Sequence, residues 1–76
     1  SLIQRAQIPV KAVLGNSTIS VNDFAMLQQG DIIRLNRKVD EELDIYVGNI
    51  RKFTALPGTT KENYAVRVTS VIREEQ

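Results

Sequence analysis

The sequence predicts a small, mainly-β domain of about six short strands and one short helix, on three observations. Short runs such as Leu43-Asp44-Ile45-Tyr46-Val47 alternate apolar and polar residues, the period of a strand with one covered face. Two Gly-Asn pairs, Gly15-Asn16 and Gly48-Asn49, sit between such runs as two-residue hairpin signals. The chain is 42% apolar but only 5% aromatic, so Val, Ile and Leu carry its core, and these residues suit pleated surfaces.

Taken in order, Ile8 to Leu14 alternates, with Ile8, Val10, Ala12 and Leu14 on one face. Pro9 cannot donate to a ladder, which places this strand at an edge or Pro9 at a strand start. After Gly15-Asn16, Ser17 to Val21 reads as a returning strand. Asn22 is the expected N-cap of the helix, with Val21 and Met26 as a hydrophobic staple and Asp23 at the positive end of the dipole. Phe24 and Leu27 share a helix face, and Gly30 is the expected stop.

Asp31 to Leu35 (DIIRL) reads as a strand, and Asn36 to Glu42 as a charged loop. Leu43 to Val47 and Ile50 to Thr54 flank the second Gly-Asn pair. Ala55 to Asn63, centred on Pro57 and Gly58, reads as a loop. Tyr64 to Ile72 is the longest strand, with Tyr64, Val66 and Val68 on one face and Val71 on the other. Arg73 to Gln76 is a polar tail.

Composition removes most chemistry. The 76 residues include no His and no Cys, so the commonest general base and the best nucleophile are absent. A zinc site would need carboxylates alone, and no disulfide can form. Asp40, Glu41, Glu42 and Asp44 are the one acidic cluster, but they lack the glycine and the alternation of a calcium loop, and Arg37 and Lys38 sit beside them. Ser17, Ser20 and Ser70 have no basic partner in a recognisable motif. No enzyme activity, metal or cofactor is expected. Asp31, beside Gly30 in LQQGDIIRL, is expected to hydrogen-bond the turn there. Ten basic residues against nine acidic ones give a net charge of +1, below the excess usual in nucleic-acid binders. No apolar run approaches the ~20 residues of a membrane span, and no signal-peptide pattern opens the chain, so a cytosolic location is expected.

A chain of this size builds a thin core, and self-association or docking is the usual remedy. The first and last strands are the expected contact, with Val10, Val13, Val66, Val68 and Val71 as its apolar centre and Gly30, Asp31, Pro57 and Gly58 as structural turns. The charged loop Asp40 to Glu42 is expected to matter little to association.

The ordered set "IPVKAVLGNSTISVNDFAMLQQGDIIRL", "VDEELDIYVGN" and "YAVRVTSV" resembles the SpoA (surface presentation of antigens) domain, over about Ile8 to Ile72. That domain ends the flagellar motor switch proteins and their type III secretion counterparts. Within the family, "RKFTALPG" (Arg51 to Gly58) is similar to the FliM branch. The resemblance implies a non-enzymatic assembly module of the flagellar motor's cytoplasmic ring, at the basal body on the cytoplasmic face of the inner membrane. It implies pairing with a FliN-type SpoA domain, or with itself as an intertwined dimer in which strands of two chains complete one core. Residues 1–76 are then one domain and, since Ser1-Leu2-Ile3 opens without Met, the C-terminal part of a longer protein. A FliN-type or secretion-ring protein stays open, as does a small β-barrel binding RNA or DNA through Arg34, Arg51, Lys52 and Arg67.

Overall fold

A computed structural model describes residues 5–73 of the chain; its first residues and the tail from Glu74 onward lie outside them. Four strands and one short helix follow in the order β1 (Val10–Val13), α1 (Val21–Ala25), β2 (Leu43–Val47), β3 (Ile50–Thr60) and β4 (Asn63–Val71). The strands form one antiparallel sheet in the order β1-β2-β3-β4, which leaves β1 and β4 as its two edges.

The β2–β3 hairpin follows local rules. Gly48 takes φ +60, which the tight Gly48-Asn49 turn needs, and its N–H donates to the Pro9 carbonyl at 2.9 Å. This bond ties the hairpin to the start of β1.

Several expectations are corrected. Ser17 to Val21 is not a strand, and α1 is capped by Ser20 instead of Asn22. Ser20 is extended, and its Oγ accepts from the Asp23 N–H at 3.0 Å, a bond that outcompetes a strand with no neighbour to pair with. The helix ends at Ala25, with Met26 as its C-cap, before the expected stop at Gly30.

Asp31 to Leu35 is not a strand either. Ile33 and Leu35 have strand spacing, but among the described residues no strand lies beside them, and an extended segment without a hydrogen-bonding neighbour forms no ladder. Gly15-Asn16 accordingly turns no hairpin.

Pro57 and Gly58 stand in a strand, not a loop. β3 is 11 residues long and pairs Pro57 with Val66 and Gly58 with Ala65, and the actual turn is Lys61-Glu62, with Lys61 at φ +53. Pairing with β2 stops at Ala55, so beyond it one side of β3 is open and a residue without an N–H fits there.

Two β-bulges reset the faces of the sheet. Ile45 pairs with Phe53 while Tyr46 pairs with Arg51, which leaves Lys52 as the extra residue. Thr54 pairs with Ser70 while Ala55 pairs with Val68, which leaves Thr69 as the extra residue.

The core is thin. Leu43, Ile45 and Ala55 are buried, at 4%, 2% and 0% exposure, whereas Ile32 is 92% exposed. The radius of gyration is 16.5 Å, against roughly 11 Å for a compact chain of this length. Residues 17–35, here called the arm, carry α1 outside the sheet: α1 makes no extended contact with any strand. No helix among the described residues is long and apolar enough to cross a membrane.

Candidate assembly surface

Pairing register decides which residues share a face. Val10 stands opposite Val47, and Ala12 opposite Ile45. Leu43 stands opposite Ala55, Ile45 opposite Phe53 and Val47 opposite Ile50. Phe53 stands opposite Val71, Ala55 opposite Val68 and Pro57 opposite Val66. One side of all four strands is thus apolar from edge to edge. Only its middle is covered: Val10 and Val68 at the two edges stay 65% and 53% exposed. At one end this face opens into a cavity of about 550 Å³ whose walls include Val10, Leu14, Leu43, Pro57, Tyr64 and Val66.

The structure brings Val10, Val66, Val68 and Val71 onto this face, and Val13 onto the other. Val13 pairs with Asp44 and is half-buried on the polar side, because side chains alternate along β1. Val71 moves the opposite way. Simple alternation sets it against Val66 and Val68, but the extra residue Thr69 shifts the phase and returns it to their face. No local sequence signal marks that bulge. Leu43, Ile45, Ala55 and Phe53 complete the surface; the alternation of Leu43 to Val47 is the signal that finds two of them.

The polar face is bonded internally. Lys11 lies opposite Tyr46, with its Nζ 5.4 Å from the ring centre. Asp44 receives two guanidiniums, Arg51 Nε at 2.7 Å on one oxygen and Arg37 Nη2 at 2.8 Å on the other. The bond from Arg51, reinforced by Arg37, holds the Asp44 carboxyl below its ordinary pKa. The Thr54 and Thr69 hydroxyls hold the Glu42 carboxyl below its ordinary value, with Thr69 donating to it at 2.9 Å. Thr54 Oγ1 lies 2.8 Å from Thr69 Oγ1 and 2.5 Å from Ser70 Oγ, so the bulge in β4 is stitched to β3 through hydroxyls. Among the described residues no group of three or more His, Cys, Asp or Glu could hold a metal.

Gly30 and Asp31 lie in a turn of the arm. The Asp31 N–H donates to the Gln28 carbonyl at 3.1 Å, and Asp31 Oδ2 accepts from the Gln28 N–H at 2.9 Å. Gly30 sits between them at φ +97, the third position of a turn that needs positive φ.

The apolar face of the sheet stands beside what comparison with known proteins finds. Residues 1–73 match the family described as type III flagellar switch regulator (C-ring) FliN C-term. The chain belongs to this family. It is the SpoA-type C-terminal domain shared by FliM and FliN. The chain is similar to the flagellar motor switch protein FliM of Bacillus subtilis, at 39% identity over 75 residues, covering 97% of this chain and 23% of that protein. FliM of Thermotoga maritima is 36% identical over 66 residues, covering 87% and 20%. The flagellar motor switch protein FliN of Caulobacter vibrioides is 36% identical over 67 residues, covering 88% and 61%. The chain thus spans about a quarter or less of the two FliM proteins and under two thirds of the FliN protein.

Proposed function

We propose that this chain is a non-enzymatic assembly module of the flagellar motor switch, the C-terminal domain of a FliM-type protein in the cytoplasmic ring at the basal body. There it pairs with a FliN-type SpoA domain and so contributes to motility, chemotaxis and switching of rotation. In isolation it pairs with itself as an intertwined dimer.

The observation that carries this reading is the apolar face of the sheet, open at both edges, in a chain with three buried hydrophobic residues among those described. Family membership supplies the setting. The two segments that alternate without forming strands, 17–21 and 31–35, support the intertwined form, because a second chain can supply the ladder they lack. Apolar surface of this kind on a small domain is an interaction site or an aggregation hazard.

A FliN-type role is the second reading, favoured by the match to the Caulobacter protein. A nucleic-acid role has less support: Arg51 is occupied by Asp44, Arg34 lies in the arm, and Arg67 stands opposite Leu56, further along β3.

Sedimentation of the chain alone and with a FliN-type protein tests the proposal. Self-association alone and a mixed complex on addition are the expected results. Val68→Asp places an unpaired charge in the contact and abolishes both, while Glu41→Lys leaves both intact. Normal association by a folded Val68→Asp variant, or its loss in Glu41→Lys, overturns the placement.

A further inference from the structure

The arm leaves and rejoins the sheet through one tied point. The Asn36 N–H donates to the Asn16 carbonyl at 2.8 Å, and the Asn16 N–H donates to Asn36 Oδ1 at 2.9 Å, so the outgoing and returning legs hold each other reciprocally. The next residue, Arg37, anchors this pair to the polar face. Its Nη2 lies 2.8 Å from Asp44 Oδ2, and its Nη1 donates to the Glu42 carbonyl. Arg51, from β3, fixes the other oxygen of Asp44. Gly15 completes the packing: a Cβ there would stand 3.0 Å from both Arg37 Cγ and Asn36 Oδ1. Two legs of the arm, one arginine and two strands are therefore bonded to one another.

Such a tie answers a physical problem. An apolar arm joined to an apolar sheet by a short, loose neck meets its own sheet at an effective concentration on the order of millimolar, unless geometry forbids the contact. A second chain at micromolar concentration cannot compete with that. Here the arm stands off its own sheet, with Phe24 and Ile32 exposed, and the face it could cover is open. We propose that Asn16, Asn36, Arg37, Asp44 and Arg51 form a hinge lock that bars the arm from its own sheet, so that the sheet of a second copy of this chain is what it covers. The inference rests on the assembly reading and adds what decides between exchange and self-closure. Each dimer contains the lock twice, so the effect of breaking it is squared.

The test uses the whole chain, which has no cysteine of its own. Arg37→Met and Asn36→Ala are compared with the parent by analytical ultracentrifugation. Dyes on cysteines placed by Gln29→Cys and Glu62→Cys report the distance from arm to sheet within one chain, diluted into unlabelled protein. Arg37→Met is expected to weaken dimerisation on the order of tenfold or more. Its monomer should be more compact and show higher energy transfer than the parent's chain. Asn36→Ala should shift both readouts the same way by less. An Arg37→Met chain that dimerises like a dimeric parent overturns the lock alone. So does one that loses the dimer without compaction, since the ion pair then serves the interface directly, and so does loss of folding in both variants. A parent that is monomeric at high micromolar concentration overturns the assembly reading, and the lock with it.

Discussion

The sheet and the arm are written in the same alphabet and end differently. Leu43 to Val47 is a five-residue run with apolar residues at alternate positions, and Asp31 to Leu35 is another of the same length with Ile33 and Leu35 two apart. The first is β2, flanked by β1 and β3, with Leu43 and Ile45 buried; the second pairs with no strand, and Ile32 and Ile33 are exposed. Pairing separates them, not propensity. Hydrogen-bonding groups on both edges of β2 meet partners supplied by short connections, while the arm would have to find its ladder on another chain. Alternation states which side of a segment seeks cover and is silent on who provides it.

The strongest way to break this comparison is to cut the same kind of side chain in each region. Ile45→Ala leaves a hole at the centre of the sheet and should cost about 2–5 kcal/mol, which a thin core cannot spare, so the far-UV signal and the thermal transition are lost together. Ile32→Ala should change the stability of the isolated chain by less than about 0.5 kcal/mol. Its effect should appear as weaker association by sedimentation. If Ile32→Ala melts the isolated chain as Ile45→Ala does, the arm belongs to the single-chain core after all.

A smaller effect sharpens the comparison inside the arm. Gly30 has φ +97 and nothing within 4 Å of a Cβ, so any penalty there is backbone strain without a clash. Gly30→Val should cost about 1–2 kcal/mol, seen as a lower melting temperature of the associated protein. Asp31→Asn keeps an acceptor for the Gln28 N–H and should have a mild effect. Equal melting of both variants and the parent would remove the turn from the account.

The smallest effect lies on the polar face of the sheet. Asp44 has its folded pKa depressed below the ordinary 3.8, mainly by Arg51. Its contribution to stability is therefore complete above the unfolded value and is lost as pH falls from about 4 through the folded value. Stability should be level between neutral pH and about 5 as far as this group is concerned. Chemical denaturation of the parent and Asp44→Asn across this range measures it: the variant should be less stable near neutrality and lose less on acidification below pH 4. Glu42, depressed by the Thr54 and Thr69 hydroxyls, acts in the same direction, so Asp44→Asn should reduce the acid sensitivity without abolishing it.

Much of this protein follows from local chemistry. The β2–β3 hairpin is legible because Gly48-Asn49 and the alternation around it concern neighbours in the chain. The existence of one short helix is legible as well, though its cap lies two residues before the expected Asn22, because Ser20 and Asn22 are both good caps and the winner is set by which N–H the side chain reaches. The absence of His and Cys, the Gly30-Asp31 turn and the order of the family's motifs are likewise properties of the string itself.

The tertiary structure decided which extended segments found partners. It turned about six expected strands into four, because a ladder needs a neighbour that alternation cannot name. It placed Pro57 and Gly58 within β3, because pairing with β2 ends at Ala55 and leaves one side of the strand free of donors to satisfy. It put Val71 with Val68 and sent Val13 to the side of Asp44, since a bulge changes the phase of a strand by one residue and alternation does not show where the bulge will fall. It also drew Asn16, Asn36, Arg37 and Asp44 together at the root of the arm, a meeting that depends on where two distant legs cross the sheet.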